Sequence, residues 1–341
     1  MKKGLLKFLG LFSRYISLDK LKKISGQYLI SPVYHLSCDY CPPHIKHIYP
    51  VRDTNTFKAD LDFFLTHYYP LSLEDVSQLT KSTNQLSQPS FYLSFDDGLR
   101  EIYDVVAPIL KEKGIPATFF INSAFVDNKQ LFYRYKASLL VEQLQTNNWS
   151  VAVTKQITEL LARKGIMGNP SKGLMMVSYQ DQEVLDQIAV VVNYDFDQFL
   201  HQYQPYLTRE QIQSLLDDGF TIGAHSVDHP EYRFISLEEQ LCQTRESIDW
   251  LQKQFSMPFR SFAFPFTDFG VKKLFFDRIS EEDMLDISFG CAGLKTDIYP
   301  WHLQRLPMEG DLRDAETIVK TEYLYFWVKE VFGKNKIHRV W

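Results

Sequence analysis

The sequence predicts an α/β fold built on a parallel sheet or barrel. The prediction rests on strand and helix patterns that alternate in two separate stretches of the 341-residue chain, because a strand, helix, strand order is the signature of parallel β-structure. A hydrophobic content of 45% supplies enough apolar side chains for a full core. We therefore expect a globular protein.

The first alternating stretch runs from residue 91 to residue 122. Phe91–Phe95 is a short run of β-favouring residues, and an amphipathic helix is predicted from about Leu99 to Lys113. Gly114 and Pro116 are typical of a helix end. Residues 117–122, which have the sequence A-T-F-F-I-N, predict the next strand.

The second alternating stretch begins at Thr208. Thr208 and Gln211 have the spacing of a capping box, which predicts a helix start, and a strand over residues 220–224 follows that helix. Ser236 begins a long second helix by the same pattern, and residues 261–266 predict another strand. The two stretches together indicate a single parallel β-structure.

The sequence also predicts how the chain is divided. Residues of about 127–205 are polar, Gln-rich and helical in periodicity, which predicts a helical insertion on a βα loop. Such loops lie at the C-terminal face of a barrel, where an insertion can form a lid, a dimer contact or a substrate wall. We expect residues 1–27 to form an N-terminal amphipathic segment and residues 28–341 to form the barrel domain.

The N-terminal segment is apolar but interrupted by positive charge. Lys7 breaks its apolar run and no small-residue cleavage site follows, which argues against an export signal. We predict an amphipathic helix that packs on the main domain or makes weak contact with an anionic membrane surface. The expected location is cytoplasmic, with membrane-peripheral attachment as the alternative.

Charge and cysteine content exclude some classes of protein. Lys and Arg total 37 against 42 for Asp and Glu, a net charge of -5 that gives no reason to expect nucleic acid as a partner. Four cysteines are too few for a disulfide-dependent scaffold. The oligomeric state does not follow from the sequence.

Two adjacent carboxylates follow the first predicted strand. Asp96 and Asp97 come directly after Phe95, and Gly98 permits a sharp turn. Neighbouring carboxylates repel each other, and a cation that neutralises one of them leaves the other free to accept a proton. Alone, D-D-G would also be an ordinary turn sequence.

Two histidines follow the strand over residues 220–224. His225 and His229 can face one point if the segment makes a single turn, and imidazole together with carboxylate suits a divalent metal such as zinc. Each motif directly follows a predicted strand, so their joint occurrence favours a shared metal site. A second run with ligand-type side chains has steps that are too short for the usual zinc spacings, and we predict a loop there. Its members are Cys38, Cys41, His44 and His47.

The order F-D-D-G, then H-S-x-x-H, then an aromatic-Pro-aromatic strand end resembles the polysaccharide deacetylase family, also called the NodB-homology domain or carbohydrate esterase family 4. The resemblance covers roughly residues 28–334. It implies a distorted (β/α) barrel of seven strands and a hydrolase of carbon-nitrogen bonds. It also implies that Asp96 is the general base and that Asp97, His225 and His229 bind the metal, with zinc expected and cobalt, nickel or manganese as alternatives.

The third motif departs from the family pattern. The family sequence R-P-P-Y corresponds to residues 263–266 here, so Ala263 stands in place of the Arg that orients the base. The resemblance implies that the backbone N-H of Phe266 donates to the oxyanion, and that Phe266 also contacts the substrate.

The expected general acid is displaced as well. The family places a His in an L-x-H motif near the C-terminus, and Arg305 occupies that register here. His302 and His35 are then the candidates for the acid. Arg305 could bind an anionic or carbonyl group through its donor fork, and Trp301 could form a wall of the acyl pocket.

Three functions fit these observations. The leading prediction is metal-dependent removal of an N-acyl group, acetyl in the first instance, from an amino sugar of a polysaccharide or glycan. The first alternative is a deformylase or amidohydrolase that acts on a lipid-linked sugar or small amide, suggested by the basic N-terminus. The second is a carbohydrate-binding protein that keeps the metal without catalysis, suggested by Ala263 and Arg305.

Overall fold

Parallel strands and surrounding helices make up the described part of the chain. The structure is a computed structural model that describes residues 2–81, 86–310 and 313–340. The strands are β1 Leu29–Ile30, β2 Pro32–Tyr34, β3 Tyr69–Leu71, β4 Ser90–Phe95, β5 Ala117–Ile121, β6 Thr221–Ala224, β7 Ser261–Ala263, β8 Ile287–Gly290, β9 His302–Gln304 and β10 Leu306–Pro307.

The helices alternate with these strands and also form the insertion. They are α1 Lys2–Ser13, α2 Leu18–Ser25, α3 Thr54–His67, α4 Leu73–Lys81, α5 Ala107–Lys113, α6 Tyr133–Thr146, α7 Val151–Arg163, α8 Pro170–Leu174, α9 Glu183–Val191, α10 Phe196–Tyr203, α11 Arg209–Asp217, α12 Leu237–Gln254, α13 Lys273–Glu281 and α14 Ala315–Val331. Short helical turns occupy residues 102–106, 126–128, 179–181 and 232–234.

The strands close into a barrel through a broken final strand. The hydrogen-bonded order is β10-β2-β4-β5-β6-β7-β8-β9, and β1 and β3 pair with β4 outside this path. Only Arg305 separates β9, which pairs with β8, from β10, which pairs with β2. The predicted distorted barrel is confirmed. Within the described residues, however, the path holds eight strands rather than seven, because residues 302–307 pair as two short strands.

The barrel has a hydrophobic layer on each side of its wall. Every residue of β4 is buried, and successive side chains alternate between the lumen and the surrounding helices. The lumen layer joins strands from opposite sides of the barrel: Tyr92 stacks on Phe289 at 5.0 Å between ring centroids, and Phe120 lies 5.5 Å from Phe289. Side chains that point into the lumen from the strand ends therefore converge.

The segment between β5 and α11 contains five helices, α6 to α10. These helices share a hydrophobic cluster of their own, which also includes Leu36, Ile45 and Leu99. Because the segment leaves the C-terminal end of β5, it covers the end of the barrel where parallel strands present their loops. The helices lie within the predicted insertion of 127–205, while the domain boundary after residue 27 stays a prediction.

Local sequence signals account for most element ends. Thr208 Oγ1 accepts from the Gln211 N-H at 3.2 Å and Gln211 Oε1 accepts from the Thr208 N-H at 3.0 Å, which confirms the predicted capping box. The strand predicted over 261–266 is shorter than expected. It ends at Ala263 because Pro265 has no N-H to pair and Phe266 has a left-handed φ of 56°.

Candidate active site

The conformation of the D-D-G turn follows from the alternation of side chains along β4 and from the close packing around Gly98. Ser94 and Asp96 share the lumen side of β4, and Asp97 then adopts a left-handed φ of 73°. Gly98 also has a positive φ of 63°, and a Cβ there would lie 2.9 Å from Cγ2 of Ile121. Both requirements explain why glycine follows the two carboxylates.

The H-S-x-x-H loop is held by a neighbouring strand end and by a helix. Ser226 Oγ accepts from the His229 N-H at 3.0 Å, and Asn122 donates to the carbonyl of His225. Gln243 of α12 accepts from the Val227 N-H at 2.9 Å. These bonds keep Ser226 and His229 in left-handed conformations, with φ values of 68° and 66°, and orient both imidazoles toward the carboxylates.

Asp97, His225 and His229 are brought together as a candidate metal site. One ligand atom from each residue lies within 4.8 Å of the other two, and all three residues are buried. Asp97 Oδ1 lies 3.1 Å from Nε2 of His229 and 3.5 Å from Nε2 of His225. Among the described residues, Asp97 Oδ1 has no hydrogen-bond partner of good geometry.

The tautomer of His225 makes this group fit a cation. Nδ1 of His225 lies 2.8 Å from the carbonyl oxygen of Ala263, and a carbonyl can only accept, so Nδ1 must donate. In the neutral ring, Nε2 then carries a lone pair directed at the Asp97 carboxylate. Burial lowers the pKa of His229, which favours the neutral form of that ring. Lone pairs that face a carboxylate are stabilised by a metal ion between them.

A tyrosine from the insertion completes the environment of Asp97. Tyr135 of α6 donates its hydroxyl to Asp97 Oδ2 at 2.9 Å and is buried. The bond occupies the carboxylate oxygen that does not face the histidines. Sequence reasoning missed Tyr135, because nothing in the pattern of α6 distinguishes it from the neighbouring aromatic residues.

Arg305 supplies the guanidinium that orients Asp96. Its Nη1 lies 2.6 Å from Asp96 Oδ1 and its Nη2 lies 2.7 Å from Oδ2, a bidentate pair. Nη1 also donates to Ser94 Oγ at 3.1 Å and Nε to the Gly290 carbonyl at 3.3 Å. Arg305 therefore takes the orienting role expected of an arginine at position 263, and it does so from the junction of β9 and β10, where only β2 lies between β10 and β4.

This geometry corrects the predicted role of Arg305 as a substrate ligand. Its exposed fraction is 0%, and its guanidinium is already bonded on every nitrogen. Burial would raise the pKa of Asp96, but the guanidinium of Arg305 outweighs that effect and holds the pKa below its usual range. Asp96 is thus an oriented, ionised carboxylate, 4.0 Å from Nε2 of His225.

His35 forms a dyad with Glu309. Nδ1 of His35 makes a short contact with Glu309 Oε2, and Oε1 accepts from the backbone N-H groups of His35 and Leu36 at 2.8 and 3.1 Å. The ring stacks on Tyr49 at 4.6 Å between centroids, and 32% of the His35 side chain is exposed. Burial alone would lower its pKa, but Glu309 raises the pKa of His35 to about 9. Glu309 was also missed, since no spacing connects residues so far apart in sequence.

The predicted roles of His302 and Trp301 are corrected by their positions. Side chains alternate between the two faces of a strand, and Arg305 points into the lumen. His302, three residues earlier, therefore points away from the lumen. Its ring packs between Phe264 and Phe276 in the outer hydrophobic layer. Trp301 precedes β9, at the opposite end of the barrel from the site, and packs on Phe276 at 6.1 Å. Neither residue reaches Asp96 or Asp97.

Phe266 lies beside His229 at the mouth of the barrel. Its ring is 4.7 Å from the His229 ring and 5.1 Å from the guanidinium carbon of Arg134. Within the described ranges, no hydrogen bond occupies its backbone N-H. The left-handed φ of 56° turns the peptide out of the strand and leaves this donor available beside the candidate metal ligands.

A second group of ligand-type side chains lies outside the barrel. Asp268, Asp297 and His302 converge there, but Arg339 already supplies the positive charge, at 2.7 Å from Asp268 Oδ2 and 2.5 Å from Asp297 Oδ2. The C-x-x-C-x-x-H-x-x-H run is not gathered into a common site: His47 contacts Glu142, whereas the His44 ring packs on aromatic rings. We interpret both features as structural.

Comparison with known proteins bears on the fold and on the site. The family model described as polysaccharide deacetylase matches residues 83–275, which is more than half of the chain. The chain belongs to the polysaccharide deacetylase family. Membership makes it a hydrolase of the deacetylase type that acts on carbohydrate. The match includes the D-D-G turn, the H-S-x-x-H loop and Phe266, whereas His35, Arg305 and Glu309 lie outside it.

Solved structures of similar fold include other deacetylases. The Streptococcus pyogenes deacetylase PplD in complex with acetate shares 16% identity over 86% of this chain and 97% of its own, with a TM-score of 0.55. IcaB from Ammonifex degensii shares 15% over 87% and 98%, with a TM-score of 0.53. A de-N-acetylase from Aggregatibacter actinomycetemcomitans shares 15% over 84% and 97%, also with a TM-score of 0.53. At these identities the likeness concerns the fold. Comparison with curated protein sequences gave no match.

Proposed function

We propose that this polysaccharide deacetylase removes an N-acetyl group from an amino sugar of a glycan, with a divalent metal held by Asp97, His225 and His229. The single observation that carries the proposal is the unpaired Oδ1 of Asp97, which faces two imidazole Nε2 atoms at 3.1 and 3.5 Å. Two nitrogens and one carboxylate oxygen suit zinc, with cobalt, nickel or manganese as alternatives. A metal there would polarise the acyl carbonyl and acidify a nearby water.

Asp96 is the proposed base. Arg305 fixes both carboxylate oxygens and keeps the group ionised, and each oxygen retains a second lone pair that can accept a proton. As the oxygen of a water molecule attacks the acyl carbonyl, its proton moves to Asp96. The backbone N-H of Phe266 donates to the oxyanion that develops on the carbonyl oxygen.

His35 is the proposed acid. Its Nδ1 is engaged by Glu309, so Nε2 is the nitrogen that can face the substrate, and the raised pKa keeps the ring protonated at neutral pH. When the carbon-nitrogen bond breaks, the amine nitrogen takes the proton from His35. The products are acetate and a free amino sugar.

These contacts remove the reason to expect a protein that only binds carbohydrate. Ala263 and Arg305 suggested an incomplete catalytic apparatus, but Arg305 provides the missing guanidinium and the dyad of His35 with Glu309 offers an acid. The remaining alternative is a deformylase or amidohydrolase that acts on a lipid-linked sugar or small amide, and its support depends on whether the N-terminal helix binds a bilayer.

Metal content and acetate release together test the proposal. The protein is assayed on N-acetylated oligomers of chitin, peptidoglycan and exopolysaccharide, with the metal measured by elemental mass spectrometry. We expect Asp97→Asn to lose both bound metal and acetate release, and Asp104→Asn, an exposed carboxylate on the outer surface, to lose neither. Acetate release by metal-free protein at the full rate would refute the metal role, and no release from the metal-loaded protein on any oligomer would refute the reaction.

A further inference from the structure

Helix α1 has one face that packs on the protein. Leu9 and Ser13 are buried, and the helix lies against α14. Gly10 allows this close approach, because a Cβ at that position would collide with the guanidinium of Arg313. The buried face is narrow and accounts for the packing role that the sequence predicts.

The opposite face of α1 is apolar and exposed. The exposed fractions are 39% for Leu5, 56% for Phe8, 59% for Leu11 and 50% for Phe12. Leu5, Phe8 and Phe12 follow one helical stripe with Leu11 beside it, and the Phe8 and Phe12 rings contact each other at 4.9 Å between centroids. Tyr15, two residues beyond the end of the helix, is 75% exposed. Large apolar side chains concentrated on one exposed helix face indicate an interaction surface.

The charge of the segment indicates which partner fits this surface. Residues 1–18 contain Lys2, Lys3, Lys7 and Arg14 and no acidic residue. A second copy of the chain would bring an equal set of positive charges against the first. An anionic lipid surface would instead attract the basic residues while its acyl boundary receives the apolar side chains.

The geometry points to α1 as a helix that lies flat on an anionic lipid bilayer. Its 12 residues extend for about 18 Å, which is shorter than the hydrocarbon core of roughly 30 Å. Within the described residues, no helix is long and apolar enough to cross a membrane. A helix of this length that lies flat places its apolar side chains at the headgroup and acyl boundary of one leaflet.

The contact between α1 and α14 also places the helix near the site. Helix α14 begins at Ala315, six residues after Glu309, so its first turn lies at the same end of the barrel as the catalytic groups. Arg313, which Gly10 approaches, precedes that first turn. A bilayer bound through α1 thus holds the catalytic end of the barrel close to the membrane surface.

Vesicle co-sedimentation of the full chain tests this inference. Vesicles of phosphatidylcholine alone are compared with vesicles of equal parts phosphatidylcholine and phosphatidylglycerol. We expect binding to the anionic vesicles that weakens with added salt. Neutralising Lys7 and Arg14 with glutamine lowers the affinity by about fivefold for each charge removed.

A matched pair of variants distinguishes binding through this surface from non-specific binding through any exposed apolar side chain. Phe8→Ser with Phe12→Ser should lower anionic-vesicle binding by at least about tenfold, with unchanged thermal unfolding and unchanged turnover of soluble oligomers. Phe234→Ser with Phe269→Ser removes two other exposed rings, 59% and 73% exposed, and should leave vesicle binding intact.

The remaining outcomes contradict the inference. Equal binding of the wild type and the Phe8 and Phe12 variant, no binding at all, or equal binding to neutral and anionic vesicles would each overturn it. Light scattering that shows a dimer in the wild type and a monomer in the variant would assign the apolar face to a second copy instead. None of these results depends on the deacetylation reaction.

Discussion

Replacing Arg305 by methionine tests the proposed base most directly, because the change removes the charge and keeps a side chain of similar length. Opposite charges about 4 Å apart attract by roughly 4 kcal/mol at an effective dielectric of about 20, and breaking a buried pair by removing one partner costs about 3–5 kcal/mol. Both oxygens of Asp96 are bonded to Arg305 and the pair is buried. We therefore expect Arg305→Met to lower the free energy of unfolding by about 3–5 kcal/mol.

The same substitution should impair catalysis in a specific way. Without the guanidinium, burial raises the pKa of Asp96, so the acid limb of the pH-rate profile moves to higher pH. Loss of orientation lowers kcat/KM by on the order of 100-fold. Urea unfolding and acetate release at several pH values measure both effects, with Arg278→Met as a control on an exposed ion pair.

The proposed role of Arg305 would be refuted by unchanged kinetics of the methionine variant. If Arg305→Met keeps the wild-type acid limb and kcat/KM, Arg305 does not act on the base, whatever happens to stability. Arg305→Lys refines the test, because lysine keeps the charge but has no bidentate fork. We expect this variant to be intermediate in both stability and turnover.

Three further predictions concern the acid, the metal and the outer histidine. Glu309→Gln should move the alkaline limb of kcat/KM to lower pH, since the protonated acid is present below the pKa of His35 at about 9 and is lost above it; an unmoved limb would exclude His35 as the acid. Tyr135→Phe should weaken metal binding by about 10–100-fold, measured by chelator competition, because Asp97 loses a hydrogen bond; unchanged affinity would contradict this. His302→Asn should leave turnover intact and lower the free energy of unfolding by about 1–3 kcal/mol, and a large loss of kcat in a stable variant would restore its catalytic role.

The fold and the grouping of the candidate ligands were predictable because they depend on local signals. Capping residues mark the starts of α11 and α12, and the alternating strands indicate a parallel barrel. The candidate ligands Asp97, His225 and His229 each come soon after a strand, and the carboxyl ends of parallel strands meet at one end of a barrel. Convergence of these side chains follows from topology alone.

The rest of the site depends on contacts between residues far apart in sequence. Arg305 reaches Asp96 from the junction of β9 and β10, and Glu309 reaches His35 from the chain that follows β10. No periodicity or spacing connects such pairs. The sequence made His302 a catalytic candidate because the direction of its side chain depends on the register of β9, which the sequence does not fix. Tyr135 was missed because it belongs to the insertion, whose packing on the barrel is not encoded in any motif.

The bond from Tyr135 to Asp97 would couple docking of the insertion to binding of the proposed metal. If docking of α6 on the barrel strengthens metal binding by some factor, the metal must favour the docked insertion by the same factor. Substitutions deep in the cluster of α6 to α10 can then change metal affinity without touching a ligand. Loss of metal would in turn loosen the wall that these helices place over the mouth of the barrel. If the proposed metal binds at Asp97, its occupancy and the docking of the insertion would be coupled in a single equilibrium.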